Sequence, residues 1–222
     1  MKKLFLLFFI CGQMLCGFAQ TGNVGIGTTT PKARLHVADS NVVFSAADPL
    51  LAVPGNTPIS GAGARMMWYS GKAAFRTGFI DGTQWDKNNV GFYSFASGYS
   101  TTANNLYSTA LGRNTLASGT SSTSLGYFTI ASGSNSTALG ASSQATGNEA
   151  TALNSNTIAS GFAATAMGFA TMAKGDVSVA MGNYTKSRSA NSLVVGSFND
   201  TTNTNGYLKL EMAQGIMQEQ MP

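Results

Sequence analysis

Cysteine occurs only at Cys11 and Cys16, histidine only at His36, and charged residues make up 10% of the 222-residue chain. Each shortage excludes something. Two cysteines near the start give no disulfide framework and no cysteine-rich metal site to the remainder. His36 has no neighbouring cysteine or acidic cluster, so it reads as a surface or packing residue rather than a ligand or base. Between Tyr93 and Asn199 the only formal charges are Arg113, Glu149, Lys174, Asp176, Lys186 and Arg188. No basic patch with interleaved aromatics is there to hold nucleic acid. Calcium-binding solenoids need aspartates in their turns, and these turns offer Asp176 alone. Serine and threonine abound without a nucleophile elbow or a base. Gly25-Ile26-Gly27 lacks both the Walker lysine and the Rossmann spacing. No metal or cofactor is expected, and an enzyme would have to place its site in residues 38–90, where no polar cluster converges.

The first nineteen residues have the form of a secretory signal peptide. Lys2 and Lys3 make the basic region, Leu4 to Ile10 the apolar core, and Gly17-Phe18-Ala19 the small-residue cleavage site. The apolar stretch is too short to span a bilayer. Cys16 raises a lipoprotein reading, against which Leu15 stands where a small residue would be wanted. Cleavage at Gln20 would remove both cysteines and leave a secreted or outer-surface chain with no membrane-spanning segment.

What the chain has in abundance is a seven-residue register. Glycine, or asparagine in its place at Asn105 and Asn154, recurs from Gly98 to Gly182, skips Ser189 and resumes at Gly196. Two heptads alternate, one reading Ser-Thr-Ala-Leu-Gly (Ser108 to Gly112) and one Thr-Leu-Ala-Ser-Gly (Thr115 to Gly119), so the true repeat is fourteen residues. A unit this short cannot bury an apolar face alone and reads as one coil of a stack. A glycine per heptad costs a helix about 1 kcal/mol each time, which excludes a coiled coil. Short Thr/Ser/Ala/Leu runs bounded by a residue tolerant of positive φ read as strand, turn, strand, turn. At about 4.8 Å per coil the periods from Gly98 to Gly196 make a rod on the order of 34 Å.

Within the long heptad one column is small, from Ala96 to Ala180 with Ser124 among the alanines, and the next is large, from Leu111 to Met181 and Val195. Neighbours in a strand face opposite sides. A thin coil has one inside, so the second apolar column needs another subunit. The expectation is large residues in the roll core and small ones at a close intersubunit contact.

The repeated Ser-Thr-Ala-Leu-Gly and Ala-Ser-Gly blocks from Ser94 to Gly196 resemble the YadA-like head repeats of trimeric autotransporter adhesins. That resemblance implies an all-β fold, a left-handed parallel β-roll (a solenoid of 14-residue coils), assembled as a homotrimer. Asn23-Val-Gly-Ile-Gly-Thr-Thr-Thr-Pro-Lys-Ala-Arg-Leu-His-Val37 resembles a motif of Bacteroidetes secreted fibre proteins and phage-tail-fibre-like proteins, where it precedes fibrous regions. Within it Val24 and Ile26 alternate as a short strand, and Thr30-Pro31 reads as a turn or helix start.

The chain therefore divides into a signal peptide (1–19), the N-terminal motif (20–37), a small β-rich domain (38–90), head repeats (91–199) and a tail (200–222). The β-rich domain, with Trp68 and Trp85 in its core or against symmetry mates, is expected to cap the first coil. From Gly206 the tail turns methionine- and glutamine-rich. A back-translation read one base earlier restores a Gly/Asn-rich character, which points to a frameshift near Gly206; gene codons that forbid the alternative frame would exclude it.

Two sets of residues are candidates for ligand contact. Tyr99, Tyr127, Phe162, Phe169 and Tyr184 flank the turn glycines, as stacking platforms or as packing between subunits. Thr101, Thr115, Thr129, Thr157, Thr171 and Thr185, with Ser143 in the gap, form a ladder that could meet ice or glycan, although threonine is also an ordinary strand former. The reading is a non-catalytic, trimeric adhesin-head-like fibre that binds extracellular matrix, glycan or another cell. The alternatives are a purely structural spacer and an ice- or glycan-binding solenoid.

Overall fold

The computed structural model describes residues 22–39, 41–46, 50 and 52–201. The leader, the cleavage site and the proposed frameshift lie outside the described residues. The chain forms two compact units, divided between Phe44 and Ser45.

In the first unit, β1 (Val24–Ile26) and β2 (Leu35–Val37) pair in parallel, Val24 opposite Leu35. The segment between them, Thr30-Pro31 included, turns without forming a helix. Gly27 takes φ +75°, and a Cβ there would sit 2.3 Å from the carbonyl oxygen of Ala38. The His36 Nδ1 accepts the backbone N–H of Lys32 at 3.3 Å.

In the second unit β3 (Gly63–Tyr69) and β4 (Ala74–Ile80) make an antiparallel hairpin. Eight coils follow. Each contributes a five-residue strand: β5 (Phe95–Tyr99), β7 (Thr109–Arg113), β9 (Thr123–Tyr127), β11 (Thr137–Ala141), β13 (Thr151–Ser155), β15 (Thr165–Phe169), β17 (Val179–Asn183) and β19 (Leu193–Ser197). Each also contributes a two-residue strand: β6 (Thr102–Ala103), β8 (Leu116–Ala117), β10 (Ile130–Ala131), β12 (Gln144–Ala145), β14 (Ile158–Ala159), β16 (Met172–Ala173), β18 (Lys186–Ser187) and β20 (Asp200–Thr201). The short strands form one eight-stranded sheet, and the long strands form a ten-stranded sheet that β4 and then β3 extend beyond β5. Every coil-to-coil pairing is parallel with a fourteen-residue offset, as in Leu139 opposite Leu153. The fold is an all-β parallel roll. With β20 the short sheet runs two residues past the composition boundary at 199.

The interior reverses the expectation about the two columns. Ala96, Ala110, Ala138, Ala152, Ala166 and Ala180 are fully buried, whereas Leu139, Met181 and Val195 remain 45, 37 and 46% exposed. Two short walls face each other across the coil, and only small side chains fit between them. Four columns fill that space: the alanines of the long strand, the Thr101 to Thr185 ladder, the alanines of the short strand such as Ala131, and Ser/Ala positions such as Ser122 and Ala150.

The glycine reading also needs amendment. Gly112, φ +116°, and its fourteen-residue mates take the left-handed half of backbone space, and Asn154 replaces one of them at φ +81°. Gly133 and its mates do not. There a Cβ on Gly133 would lie 1.8 Å from the carbonyl oxygen of Gly147 in the next coil, although Asn105 and Ser189 hold the same register with one. The tight αL corners fall instead on side-chain-bearing residues, two per coil, such as Asn114 at φ +54° and Ser121 at φ +55°.

The hairpin covers the exposed edge of the first coil. Arg76, opposite Ala96 and wholly buried, fills the interior where no preceding coil exists. It donates to the carbonyls of Phe75, Ser94 and Ala103 and to the Ser94 Oγ at 2.7–2.9 Å. Burial pulls its pKa down to about 10, which leaves it protonated at neutral pH. Trp85, also fully buried, donates its indole N–H to the carbonyl of Thr101 at 2.9 Å. Trp85 thus occupies a carbonyl at the edge of the short sheet that a preceding strand would otherwise satisfy, while the Ala103 carbonyl accepts Arg76 together with the backbone N–H of Gly91 at 3.0 Å.

Candidate functional site

Strand alternation places the large apolar column and the threonines beside it on the outer face of the ten-stranded sheet. From Ala64 on β3 to Ser197 on β19, the outward positions of this face carry one formal charge, Arg113. Nine strand gaps of about 4.8 Å and a strand width of about 16 Å give roughly 700 Å². A specific interface takes about 800 Å² from each partner, polar positions included.

The five candidate aromatics are all exposed, at 40–48%. They do not form one platform. Tyr99, Tyr127 and Phe169 end long strands in a single column, Tyr184 occupies the αL corner beside that column, and Phe162 lies on the opposite turn. The Phe162 backbone N–H is held by the Asp176 carboxylate at 2.9 Å. In the column, Phe79 stacks on Tyr99 at 5.3 Å, and the Arg113 guanidinium sits 5.5 Å from the rings of both Tyr99 and Tyr127. Tyr127 then meets Phe128 edge-on at 4.5 Å. After Ala141 and Ser155 a second ladder begins, with Phe169 edge-on to Tyr184 and Tyr184 stacked on Phe198. Tyr99, Tyr127, Phe169 and Tyr184 thus each turn part of the ring toward another ladder member rather than to solvent.

Sequence reasoning missed Phe79, Arg113, Phe128 and Phe198 as ladder members, and also the stacked Tyr93–Tyr107 pair at 5.4 Å. The signal was present in the fourteen-residue spacing of Tyr99, Arg113 and Tyr127 and of Tyr184 and Phe198.

The threonine ladder is not a surface. Thr101, Thr115, Thr129, Thr157, Thr171 and Thr185 are at most 1% exposed, and Ser143 is fully buried. Alternation through the corner turns them inward, which removes them as an ice- or glycan-binding face. Among the described residues no three His, Cys, Asp or Glu side chains gather as a metal site. No helix among them is long and apolar enough to cross a membrane.

The spacing, the small interior and the alternation of long and short strands together define the repeat. The coils match the YadA head domain repeat. The family model, described as two copies of that repeat, matches residues 90–115, 117–143, 131–153 and 159–185. The matched residues extend from β5 to β17, and with them the outer apolar column from Leu111 to Met181. No curated protein matches the chain at a significant level.

Proposed function

We propose that this protein is a homotrimeric, non-catalytic, adhesin-type fibre segment, secreted to the outer surface of a bacterium. The observation that carries the reading is the inversion of side-chain size: alanine, serine and threonine fill the roll, while leucine and methionine face out. A chain that worked alone would gain nothing from that arrangement, because the large apolar residues contribute most when removed from water, about 25 cal/mol per Å². Packing the outer faces of three copies together would bury them. The match to YadA head repeats supports the same assembly, since heads of that type are trimeric surface structures.

Ligand contact, where it occurs, falls to the turn edges that carry Tyr99, Tyr127, Phe162, Phe169 and Tyr184, with an extracellular matrix, glycan or cell surface as partner. The engagement of Tyr99, Tyr127, Phe169 and Tyr184 with neighbouring rings or Arg113 favours a second reading, a spacer that holds other parts of a fibre at a distance. Sedimentation of the purified chain tests the assembly: a sharp trimer is expected, and a monomer at micromolar concentration would remove the proposal. Saturable binding to matrix or glycan, lost in Tyr99→Ala/Tyr127→Ala, separates adhesin from spacer.

A further inference from the structure

We propose that Trp68, Phe75 and Phe95 form, with the same residues of two other copies of this chain, an aromatic collar that closes the N-terminal end of the shared apolar seam and sets the copies in register. The inference rests on the trimer reading above.

All three side chains lie on the outer face of the ten-stranded sheet. Trp68 pairs across the hairpin with Phe75, and Phe75 pairs with Phe95, whose ring it stacks against at 5.7 Å and 7°. Phe95 in turn begins the column that continues as Thr109 and Thr123.

Across β4, β5 and β7 the two outward columns compensate each other in size, whereas β3 carries bulk in both, Trp68 and Met66. Where the first holds Phe75 and Phe95, the second holds Thr77 and Ser97; where the first shrinks to Thr109, the second grows to Leu111. Side chains that face water have no reason to exchange bulk between neighbouring columns as these three strands do. Side chains that pack against a fixed partner do, because interfaces reach the packing density of interiors. The near absence of charge on this face fits a second copy of the same surface, since identical charges would meet near a symmetry axis.

The middle of the face creates a problem that the collar solves. Leu111, Leu125, Leu139 and Leu153 repeat unchanged from coil to coil, so a copy displaced by one strand, about 4.8 Å, would make nearly the same contacts. Register is weakly specified wherever a pattern repeats without interruption. Bulk at one end removes the degeneracy: in a slipped copy Phe95 would collide with leucines, and one aromatic level would stand in water.

Fluorescence quenching by iodide on the full chain, read beside its sedimented mass, tests this. Trp85 is fully buried and stays unquenched, so Trp68 reports alone; Trp68→Phe supplies the Trp85 baseline. Leu125→Glu/Leu153→Glu, altered only on the outer face, supplies the monomer reference. The expected result is a trimer whose Trp68 is quenched several-fold less than in that reference. A trimer with Trp68 as open as in the reference overturns the collar and leaves the trimer standing. A monomer overturns both. The second variant, Phe75→Thr/Phe95→Thr, is expected to lose its sharp trimer boundary and spread to staggered, larger species; a trimer as sharp as that of the unaltered chain overturns the register role.

Discussion

The guanidinium of Arg76 donates to the carbonyl oxygen of Ala103, twenty-seven residues further along, at 2.8 Å. This bond joins the last hairpin strand to the first short strand, and it does so from inside the roll. Arg76→Ala removes the donor, leaves the carbonyls of Ser94 and Ala103 without it and opens a cavity at the same place. A loss of about 3 kcal/mol in chemical denaturation is expected, the usual scale for breaking a buried charged hydrogen-bond set.

The buried threonines separate into two groups. The hydroxyls of Thr101, Thr115, Thr157, Thr171 and Thr185 meet no hydrogen-bond partner, whereas that of Thr129 bonds to the Ser124 Oγ at 2.8 Å. Thr157→Val should therefore be neutral or add up to about 1 kcal/mol, while Thr129→Val should cost about that much. Melting temperatures of the two variants, measured side by side, check the opposite signs.

Glycine and alanine should exchange roles at two positions. Gly133→Ala places a methyl carbon 1.8 Å from a backbone oxygen of the next coil, so the stack must part, and a melting temperature lowered by many degrees is expected. Ala170 stands at φ +53°. Ala170→Gly should stabilise by about 1 kcal/mol, the size of the left-handed penalty for an L-residue less the entropy that glycine gives up.

Asp81 sets a pH limit on the capping segment. Hydrogen bonds from Ser100 and Gln84 hold its carboxyl below the ordinary value of 3.8. A carboxylate with a depressed folded-state pKa stabilises above its unfolded value and loses that contribution as pH falls through the folded one. The melting difference between the unaltered chain and Asp81→Asn should be constant above pH 5 and shrink below about 3.8. A difference that persists at pH 2 would show that the side chain acts through shape alone.

The coil itself was legible because every residue obeys one period, and a period fixes strand, turn and pairing together. Which side was the inside was not. Ala138 and Leu139 differ in bulk, and the habit of placing the larger residue in the core fails when two walls stand too close for leucine. The threonine ladder failed for a related reason: Thr115 follows the αL residue Asn114, and that corner turns it inward in a way alternation alone cannot reveal. Of the candidate aromatics, the spacing identified the residues but not their ring partners: Phe79, on which Tyr99 stacks, belongs to the hairpin and lies outside the repeat.

Interchangeable coils held by hydrogen bonds that run along the stack have a mechanical meaning. A pull on the two ends of the roll loads those bonds in tension, one pair of strands at a time, so the end coil peels while the rest hold. Each coil releases fourteen residues, about 46–50 Å of extended chain, in exchange for a single strand spacing. A fibre built this way would lengthen in equal increments under load and dissipate work at each one, where a rigid rod would tear from whatever it holds.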